Sequence, residues 1–219
     1  MTKEKLLIDV SHHNDNIDFA KVKADPQGVS GVIIRAGFGR YVSQKDKRFD
    51  KNYAGASSAG LDVGTYWYSY ATNKNEALSE AKACAKIIAG KKFSYPVYFD
   101  IEDKCQLYLP KEVCSDMVKT FCDYLEERGF FAGVYSYDSF FSSNLKTDIP
   151  KRYSAWVARV NSAGASVIKP THCKVYAMHQ YSWNGAVSGI KGSVDMNLCF
   201  KDFPAIMASK GINGFSVNN

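Results

Sequence analysis

Two acidic residues, two positions apart, form the part of the sequence best suited to carry chemistry. Asp100 and Glu102 lie in the run Tyr98-Phe99-Asp100-Ile101-Glu102, which is rich in residues typical of buried strands. Side chains alternate between the faces of a strand, so Tyr98, Asp100 and Glu102 are predicted to share one face. Two carboxylates this close raise the pKa of one of them, which is the condition a general acid needs near neutral pH.

This Asp-x-Glu pair has two simpler interpretations. It also fits a surface strand that forms salt bridges, or a pair of metal ligands. The apolar and aromatic residues of Pro96–Phe99 argue against an exposed strand. For a metal, His12 and His13, which follow Asp9 in the first loop, are candidates, but a site needs more ligands at fixed geometry and none is evident. We therefore expect a site with neither metal nor cofactor.

The elements that must position the carboxylates alternate between strand and helix patterns. Helical patterns with apolar stripes lie between runs of β-branched and aromatic residues, and three of the helices end at a glycine. The predicted strands are Lys5–Val10, Gly31–Ala36, Asp62–Tyr70, Tyr95–Glu102, Phe130–Tyr137, Ser154–Val160, Lys174–Tyr181 and Ser193–Leu198. The predicted helices are Ile17–Ala24, Phe49–Ala59, Lys74–Ala89, Glu112–Arg128, a short turn at Ser139–Asn144 and a closing helix at Phe203–Ala208.

This order of elements indicates an α/β fold, an irregular (β/α)8-like barrel with helices reduced in the last part. One domain is predicted over residues 1–208, followed by a tail over residues 209–219 that is expected to be loose from Gly211. Barrels of this kind carry their sites at the carboxyl ends of the strands. Asp9, near the end of the first strand, and Asp195, in the last, are therefore predicted to join Asp100 and Glu102.

Composition and charge narrow the class of partner. The formal net charge is +6, which favours association with polyanions such as nucleic acid or an anionic cell wall. No run of five Lys or Arg residues occurs and arginines are not interleaved with aromatics, so a nucleic-acid partner is disfavoured. No apolar run reaches membrane-spanning length, so membrane insertion is not expected.

Six cysteines occur without a C-x-x-C pair, so a zinc or redox motif is not expected. No apolar signal segment precedes the first predicted strand, which favours synthesis in the cytosol with free thiols. Phage-type release and secretion followed by removal of a leader both stay open as routes to a cell wall.

Eight short segments, in order along the chain, together resemble glycoside hydrolase family 25, the Chalaropsis-type lysozymes of bacteria and phages. Each segment is weak alone, but the eight cover the chain from about residue 6 to residue 200. They are Ile8–Ser11, Val32–Gly37, Gly64–Ala71, Tyr95–Glu102, Gly133–Ser136, Trp156–Ala158, Gln180-Tyr181 and Val194–Asn197.

The resemblance implies a glycosidase barrel with few helices in its last part. It implies hydrolysis of the β-1,4 bond between N-acetylmuramic acid and N-acetylglucosamine in peptidoglycan, so the site of action is the bacterial cell wall. Glu102 falls on the proton donor of the family. Asp9 and Asp195 would hold the carboxylate network and the substrate. Asp100 stays open between orienting the acetamido group, stabilising charge and acting as a base, and net retention through the acetamido group is favoured.

Substrate-binding residues are predicted around these acids. Tyr66, Tyr68 and Tyr135, with Tyr137, have the strand parity to line a groove, although packing inside the barrel is an equal alternative for each. Arg35, in an apolar strand, needs a carboxylate partner, and we expect it to pair with Asp9 or to contact substrate.

Three further candidates come from the loops and the seventh strand. Gln180 belongs to one of the family-like segments, His12 follows Asp9 in the first loop, and Trp183 stands where it could stack on a sugar ring. The chain departs from many family members at His179, where they carry Trp, and this puts one aromatic sugar contact in doubt.

Two alternative functions are carried forward. One is a barrel that has lost catalysis and binds wall glycan, although the presence of Glu102 argues against it. The other is a glycosidase acting on a polymer such as chitin, but Tyr95 and Tyr98 replace acidic residues of the chitinase pattern D-x-x-D-x-D-x-E. Peptidoglycan is the expected partner, and the oligomeric state is left open.

Overall fold

Strands and helices alternate along the chain in the order that the hydrophobic pattern predicts. The computed structural model describes residues 4–161 and 166–217. The strands are β1 Lys5–Val10, β2 Val29–Phe38, β3 Asp62–Tyr68, β4 Val97–Asp100, β5 Ala132–Tyr137, β6 Ser154–Ala158, β7 Met178–Gly185 and β8 Val194–Cys199. The helices are α1 Phe19–Lys23, α2 Phe49–Ser58, α3 Lys74–Ile88, α4 Lys111–Glu126, α5 Asp138–Ser143, α6 Ile149–Arg152 and α7 Phe203–Lys210.

The strands close into a barrel in sequence order, β1 to β8, with β8 hydrogen-bonded to β1. The first seven strands pair in parallel, while β8 runs antiparallel to both β7 and β1. The helices α2, α3 and α4 have 10, 15 and 16 residues, α1 has five, and helices between the strands after β5 are short or missing in the described residues. The predicted fold class, a (β/α)8-like barrel with a helix-poor last part, is therefore confirmed, and the reversal of β8 is its main irregularity.

Apolar side chains fill two layers, one outside the barrel and one inside. On β4, Val97 and Phe99 face outward, and the Phe99 ring stacks on Phe121 of α4 at 4.5 Å between centroids. Tyr98 faces inward and packs edge-on against Trp156 of β6 at 5.2 Å. The strand alternation predicted from the sequence is thus the one that separates the two layers.

A glycine on β5 makes room for the inward ring of Tyr98. A Cβ placed on Gly133 would come within 2.6 Å of that ring, a distance real Cβ atoms do not show. The Tyr98 ring therefore packs directly against the β5 backbone at Gly133, beside the strand that ends at Asp100 and leads into Glu102.

Residues after α7 seal the amino-terminal end of the barrel, contrary to the expected loose tail. Gly211 ends α7 with a φ of 60°, and Asn213 is then fully buried. The Asn213 side chain accepts a hydrogen bond from the amide of Phe131 at 2.6 Å and donates one to the carbonyl of Tyr95 at 2.9 Å. The segment thus completes backbone hydrogen bonding at the starts of β4 and β5. The domain boundary after residue 208 stays a prediction.

Asn213→Ala is expected to lower the free energy of unfolding by roughly 2–4 kcal/mol, because it leaves a buried N–H and a buried carbonyl without partners. Chemical denaturation measures the effect. Asn75→Ala, on the exposed side of α3, is the matched control and should change stability by less than about 0.5 kcal/mol. Equal stability of the two variants would show that the tail contributes little.

The seventh strand begins four residues later than predicted and runs on to Gly185. Its extension past Tyr181 pairs with β8 as a hairpin and is partly or fully exposed. It lacks the alternation of apolar residues from which the other strands were predicted. The six cysteines are free thiols, and Cys105 is the exposed one. Among residues 4–161 and 166–217, no helix has the length and apolarity required to cross a bilayer.

Candidate active site

An open cavity of about 260 Å³ lies at the end of the barrel where β1 to β7 finish. Because β8 runs in the opposite direction, the beginning of β8 reaches the same end, and Asp195 pairs in register with Asp9. We call Asp9, Asp100, Glu102 and Asp195 the carboxylate cluster. The cavity is lined by Asp9, Val10, Ser11, His13, Asn14, Arg35, Tyr66, Tyr68, Asp100, Glu102, Tyr135, Trp156, Gln180 and Asp195.

Nine of the eleven predicted site residues lie in this wall. The two that do not, among the described residues, are His12 and Trp183. Trp183 is 45% exposed just outside the cavity, where its indole N–H contacts Gln180. The structure therefore brings the predicted residues together, while their roles stay predictions.

Asp9 and Asp195 are joined by the side-chain amide of Gln180. Its Nε2 donates to Asp9 Oδ2 at 2.9 Å and to Asp195 Oδ2 at 3.1 Å. The buried amide of Asn197 also donates to Asp9 Oδ2, at 2.8 Å. Burial raises the pKa of Asp9 to about 6 in spite of these bonds, and burial with the charge of Asp9 raises the pKa of Asp195 to about 8.

Asp100 is buried in the cavity wall, and Glu102 beside it is partly buried. Burial raises the pKa of Glu102 to about 7, with the charge of Asp9 adding to the rise and the hydroxyl of Tyr137 opposing it. Burial, followed by the charge of Glu102, also holds the pKa of Asp100 well above its usual range. Glu102 Oε2 and Asp100 Oδ1 are buried without a hydrogen-bond partner among the described residues. Both atoms are therefore placed to bond a ligand rather than the protein.

Arg35 forms its ion pair with Asp46, and not with Asp9 as one of the two sequence alternatives supposed. Arg35 Nε lies 2.9 Å from Asp46 Oδ2, and the carboxylate of Asp46 is fully buried. Burial alone would raise the pKa of Asp46, but hydrogen bonds from Arg48, His12 and Arg35 hold it below its usual value. Asp46 lies in a loop before α2, and nothing in the sequence marked it.

His12 belongs to the same ion-pair cluster, which explains why it is absent from the cavity wall. Its Nδ1 lies 2.9 Å from Asp46 Oδ2, and Arg35 contacts the same nitrogen. The ring faces an adjoining cavity of about 340 Å³, which also has Phe38 and Tyr70 in its wall. His13, which sequence analysis considered only as a metal ligand, takes the position in the main cavity instead.

Aromatic rings form one wall of the main cavity. Trp156 meets Tyr135 at 4.4 Å and Tyr66 at 6.1 Å between ring centroids, and its indole N–H donates to Asn197 at 2.8 Å. Trp156 and Asn197 were not predicted as site residues. Their strand parity was informative, because Asn197 lies two positions from Asp195 on β8 and so shares its face.

His179, which replaces the Trp of many family members, does not line the cavity. His179 is buried, and its Nε2 contacts the carbonyl of Arg159 at 2.9 Å. It lies beside Val157 in the parallel register, on the outward face of β6 and β7. Gln180, its neighbour, is the residue of that pair that points inward. A Trp at position 179 would therefore not reach a ligand in the cavity from this face.

The raised pKa values of the carboxylate cluster predict a stability that falls as pH rises. A carboxyl group whose folded pKa lies above its unfolded value binds its proton more tightly in the folded state, so its stabilising contribution is complete at low pH and is lost as pH rises. For Asp195 the contribution is lost between pH 3.8, the ordinary pKa of the group, and about pH 8, its pKa in the folded protein.

Asp195→Asn should therefore raise the melting temperature, and more at about pH 9 than at about pH 5. The new amide oxygen can still accept the bond from Gln180, so the change removes the titration with little loss of contact. Differential scanning calorimetry of variant and wild type at both pH values gives the comparison. Asp116→Asn, on α4, is a surface control for which no pH-dependent difference is expected. If Asp195→Asn differs from wild type in melting temperature by the same amount at both pH values, the prediction is contradicted.

These contacts combine two functions that acid-catalysed bond cleavage requires. Glu102 retains a proton near neutral pH, and Asp9 is ionised there. A bond placed between them receives a proton from one side and electrostatic stabilisation of positive charge from the other. Among residues 4–161 and 166–217, no group of three His, Cys, Asp or Glu side chains is arranged to hold a metal ion.

Known proteins resemble this chain over most of its length. It is 33% identical over 190 residues to the autolytic lysozyme of Clostridium acetobutylicum, covering 87% of this chain and 54% of that protein. The CTP1L endolysin has a TM-score of 0.77 and 28% identity, covering 94% of this chain and 70% of that one. The bacterial lysozyme of Streptomyces coelicolor has a TM-score of 0.74 and 25% identity, covering 90% and 92%.

The chain spans about half the length of the clostridial lysozyme. A family model, glycosyl hydrolases family 25, matches residues 8–190. That match, over most of the described barrel, includes the second half of β1, all of β2 to β7 and the Asp-x-Glu pair. The chain therefore belongs to glycosyl hydrolase family 25.

Proposed function

We propose that this chain is a peptidoglycan hydrolase that cleaves the β-1,4 bond between N-acetylmuramic acid and N-acetylglucosamine. The observation that carries the proposal is the state of Glu102. Its carboxyl group lies in an open cavity, its pKa is raised to about 7, and Oε2 has no bonding partner within the described residues. Relatives named lysozyme and endolysin support the choice of substrate.

The first chemical step is protonation of the leaving oxygen. Glu102 donates its proton to the glycosidic oxygen as the bond from that oxygen to the anomeric carbon breaks. Burial supports this step because it keeps the carboxyl neutral up to about pH 7. The resulting Glu102 carboxylate then takes a proton from the water that completes hydrolysis.

The second participant is the 2-acetamido group of the substrate, whose carbonyl oxygen attacks the anomeric carbon from the opposite face. This forms a cyclic oxazolinium ion, which water opens with net retention of configuration. Asp100 supports this route, since Oδ1 is buried and unpartnered among the described residues and can accept the acetamido N–H. Accepting that bond orients the group and stabilises its developing positive charge.

Asp9 and Asp195 complete the negative end of the cavity, opposite the positive charge that develops on the sugar. Gln180 and Asn197 hold Asp9 by donated hydrogen bonds, so its position is fixed before substrate binds. Tyr66, which is partly exposed in the cavity wall, offers a ring against which a sugar can pack, and the buried rings of Tyr135 and Trp156 support it from behind.

The bond that is cleaved can be identified directly. Purified bacterial walls are incubated with the protein, new reducing ends are reduced with borohydride, and the products are hydrolysed and separated. A muramidase yields reduced muramic acid, whereas cleavage of the other glycosidic bond yields reduced glucosamine. Release of the second product would contradict the proposed bond. Wall binding without any new reducing end would support the alternative of a non-catalytic glycan-binding barrel.

A further inference from the structure

The side chain of Gln180 connects a residue outside the cavity to the carboxylate cluster. Gln180 is 2% exposed and uses both ends of its amide. Its Oε1 accepts hydrogen bonds from Tyr135 Oη at 2.7 Å and from Trp183 Nε1 at 3.2 Å. Its Nε2 donates to Asp9 at 2.9 Å and to Asp195 at 3.1 Å.

The partners fix which way the amide points. An indole nitrogen can only donate, so the group facing Trp183 has to be the carbonyl oxygen of Gln180. Both hydrogens of Nε2 are then directed at carboxyl oxygens. The reversed amide would place N–H against N–H at Trp183 and oxygen against oxygen at Asp9, and both contacts would be repulsive.

Hydrogen bonds from Asn197 and Gln180 together decide which member of the Asp9 and Asp195 pair ionises first. Asp9 Oδ2 accepts from both amides, whereas the hydrogen bond to Asp195 within the described residues comes from Gln180 alone. Accepted hydrogen bonds favour the charged form of a carboxyl. In agreement, the pKa of Asp9 is about 6 and that of Asp195 about 8.

The charge on Asp9 acts in turn on Glu102. After burial, it is the principal cause that raises the pKa of Glu102. The pKa of Asp9 lies below that of Glu102, so an ionised Asp9 beside a protonated Glu102 is the favoured state as pH approaches neutrality. The charge on Asp9 adds to the effect of burial in keeping this order.

We propose that Gln180 is a positioning residue for the proton donor: its amide, with that of Asn197, holds the Asp9 carboxylate by donated hydrogen bonds, the negative charge on Asp9 favours the protonated form of Glu102, and Trp183 fixes the orientation of the Gln180 amide. Gln180 thus acts through two carboxyl groups, in addition to any contact with substrate. The kinetic part of this inference rests on the proposed function, because it takes Glu102 as the acid.

Trp183 has a distinct place in this arrangement. Its ring is half exposed outside the cavity, where a sugar ring can pack against it, while its N–H points inward to Gln180. Replacing the ring by Phe keeps an aromatic face and removes the donor. Stacking and orientation can therefore be separated in one variant.

Other ionisable and charged groups line or border the cavity and also contribute to the electrostatic environment of Asp9 and Glu102. They are His13 from the loop after β1, Arg35 from β2, Tyr66 and Tyr68 from β3, Asp100 from β4, Asp103 after Glu102, and Tyr135 and Tyr137 from β5.

The test compares pH–rate profiles of wild type, Gln180→Met, Trp183→Phe and the double variant on purified cell walls. Loss of the amide raises the pKa of Asp9, so Glu102 loses a neighbouring charge and its own pKa falls. We expect the alkaline limb of kcat to move to lower pH by about 0.5 unit or more in Gln180→Met. Trp183→Phe should move the alkaline limb in the same direction by a smaller amount. The double variant should have the same alkaline limb as Gln180→Met alone.

A second measurement needs no turnover and separates this inference from the proposed function. The side-chain carboxyl carbons of Asp9 and Glu102 are titrated by 13C NMR in the free wild type and in both single variants. We expect the pKa of Asp9 to rise and that of Glu102 to fall in each. This result can hold even if the protein cleaves no glycan, in which case only the proposed function fails.

The outcomes that overturn the inference are specific. If Gln180→Met alters KM alone and leaves both the alkaline limb and the two titrations unchanged, Gln180 is only a substrate contact. If Gln180→Met shifts them and Trp183→Phe does not, the amide is held without Trp183 and that part is wrong. Should Gln180→Met fail to fold, Asp9→Asn tests the second link directly, since an unchanged pKa of Glu102 in that variant contradicts the coupling.

Discussion

Glu102→Gln should reduce the rate of cell-wall hydrolysis by about 10²–10⁴-fold, the range by which general acids accelerate such reactions. The amide keeps the shape and the buried position of the side chain but has no proton to give to a leaving oxygen. Because the neutral amide resembles the protonated carboxyl that burial favours, the variant should fold as stably as wild type or more so. Reducing-sugar release and calorimetry on the same preparations measure the two effects.

The assignment of Glu102 as acid is tested by the choice of leaving group. A glycoside with a dinitrophenol leaving group departs without protonation, so Glu102→Gln should lose far less activity on it than on natural glycan. Equal losses on both substrates would indicate that the residue orients or binds the sugar instead. Glu112→Gln, which affects an exposed carboxylate paired with Lys146 on the outside of the barrel, is the matched control and should keep wild-type rates.

Sequence patterns predicted the barrel because its strands obey a simple rule of alternation. On β4, the outward Phe99 and the inward Tyr98 could be assigned from spacing alone, and the structure has both as expected. The same rule placed Asp100 and Glu102 at one end of the barrel. Local periodicity is informative here because each strand is buried on both sides and pays a cost for any misplaced polar group.

The direction of β8 could not be predicted from its residues. Alternation is the same for parallel and antiparallel strands, so Val194–Cys199 fits either. The prediction that Asp195 joins Asp9 was reached from barrel closure, and it holds because the reversed strand begins, rather than ends, at the cavity. A parallel β8 of the same length would have placed Asp195 near the opposite end.

Long-range ion pairs were the other part that local patterns could not supply. Arg35 clearly needed an acidic partner, but Asp46 lies in an irregular loop where no periodicity applies. His12 also contacts Asp46, and its place in this cluster could not be predicted because Asp46 was not recognised. The buried Asn213 was equally unpredictable, since it stabilises the fold by hydrogen-bonding backbone groups next to two strands that are distant in sequence. Such contacts depend on how loops close over the barrel, which spacing does not determine.

Asp100→Asn should lower kcat by roughly 10²-fold or more, the effect expected when a group that stabilises charge in the transition state is lost. The amide oxygen can still accept a hydrogen bond, but an amide cannot ionise. Burial favours the neutral form of Asp100 in the free protein, and the N–H of the bound acetamido group favours its charged form. KM should change little, because the effect falls on the transition state and not on the bound ground state. Steady-state rates on a soluble chain of alternating wall sugars separate the two constants.

Azide distinguishes the role proposed for Asp100 from that of a covalent nucleophile. If the carboxylate of Asp100 formed the glycosyl–enzyme bond, azide would enter the space left in Asp100→Ala, restore the rate and yield a glycosyl azide of inverted configuration. If the acetamido group attacks instead, the nucleophile is still present in the substrate, and azide should neither restore the rate nor appear in the product. Asp100 Oδ1 is buried and makes no hydrogen bond within the described residues, as expected of an acceptor waiting for an N–H. Recovery of a glycosyl azide would therefore overturn the acetamido route while leaving Glu102 as the acid.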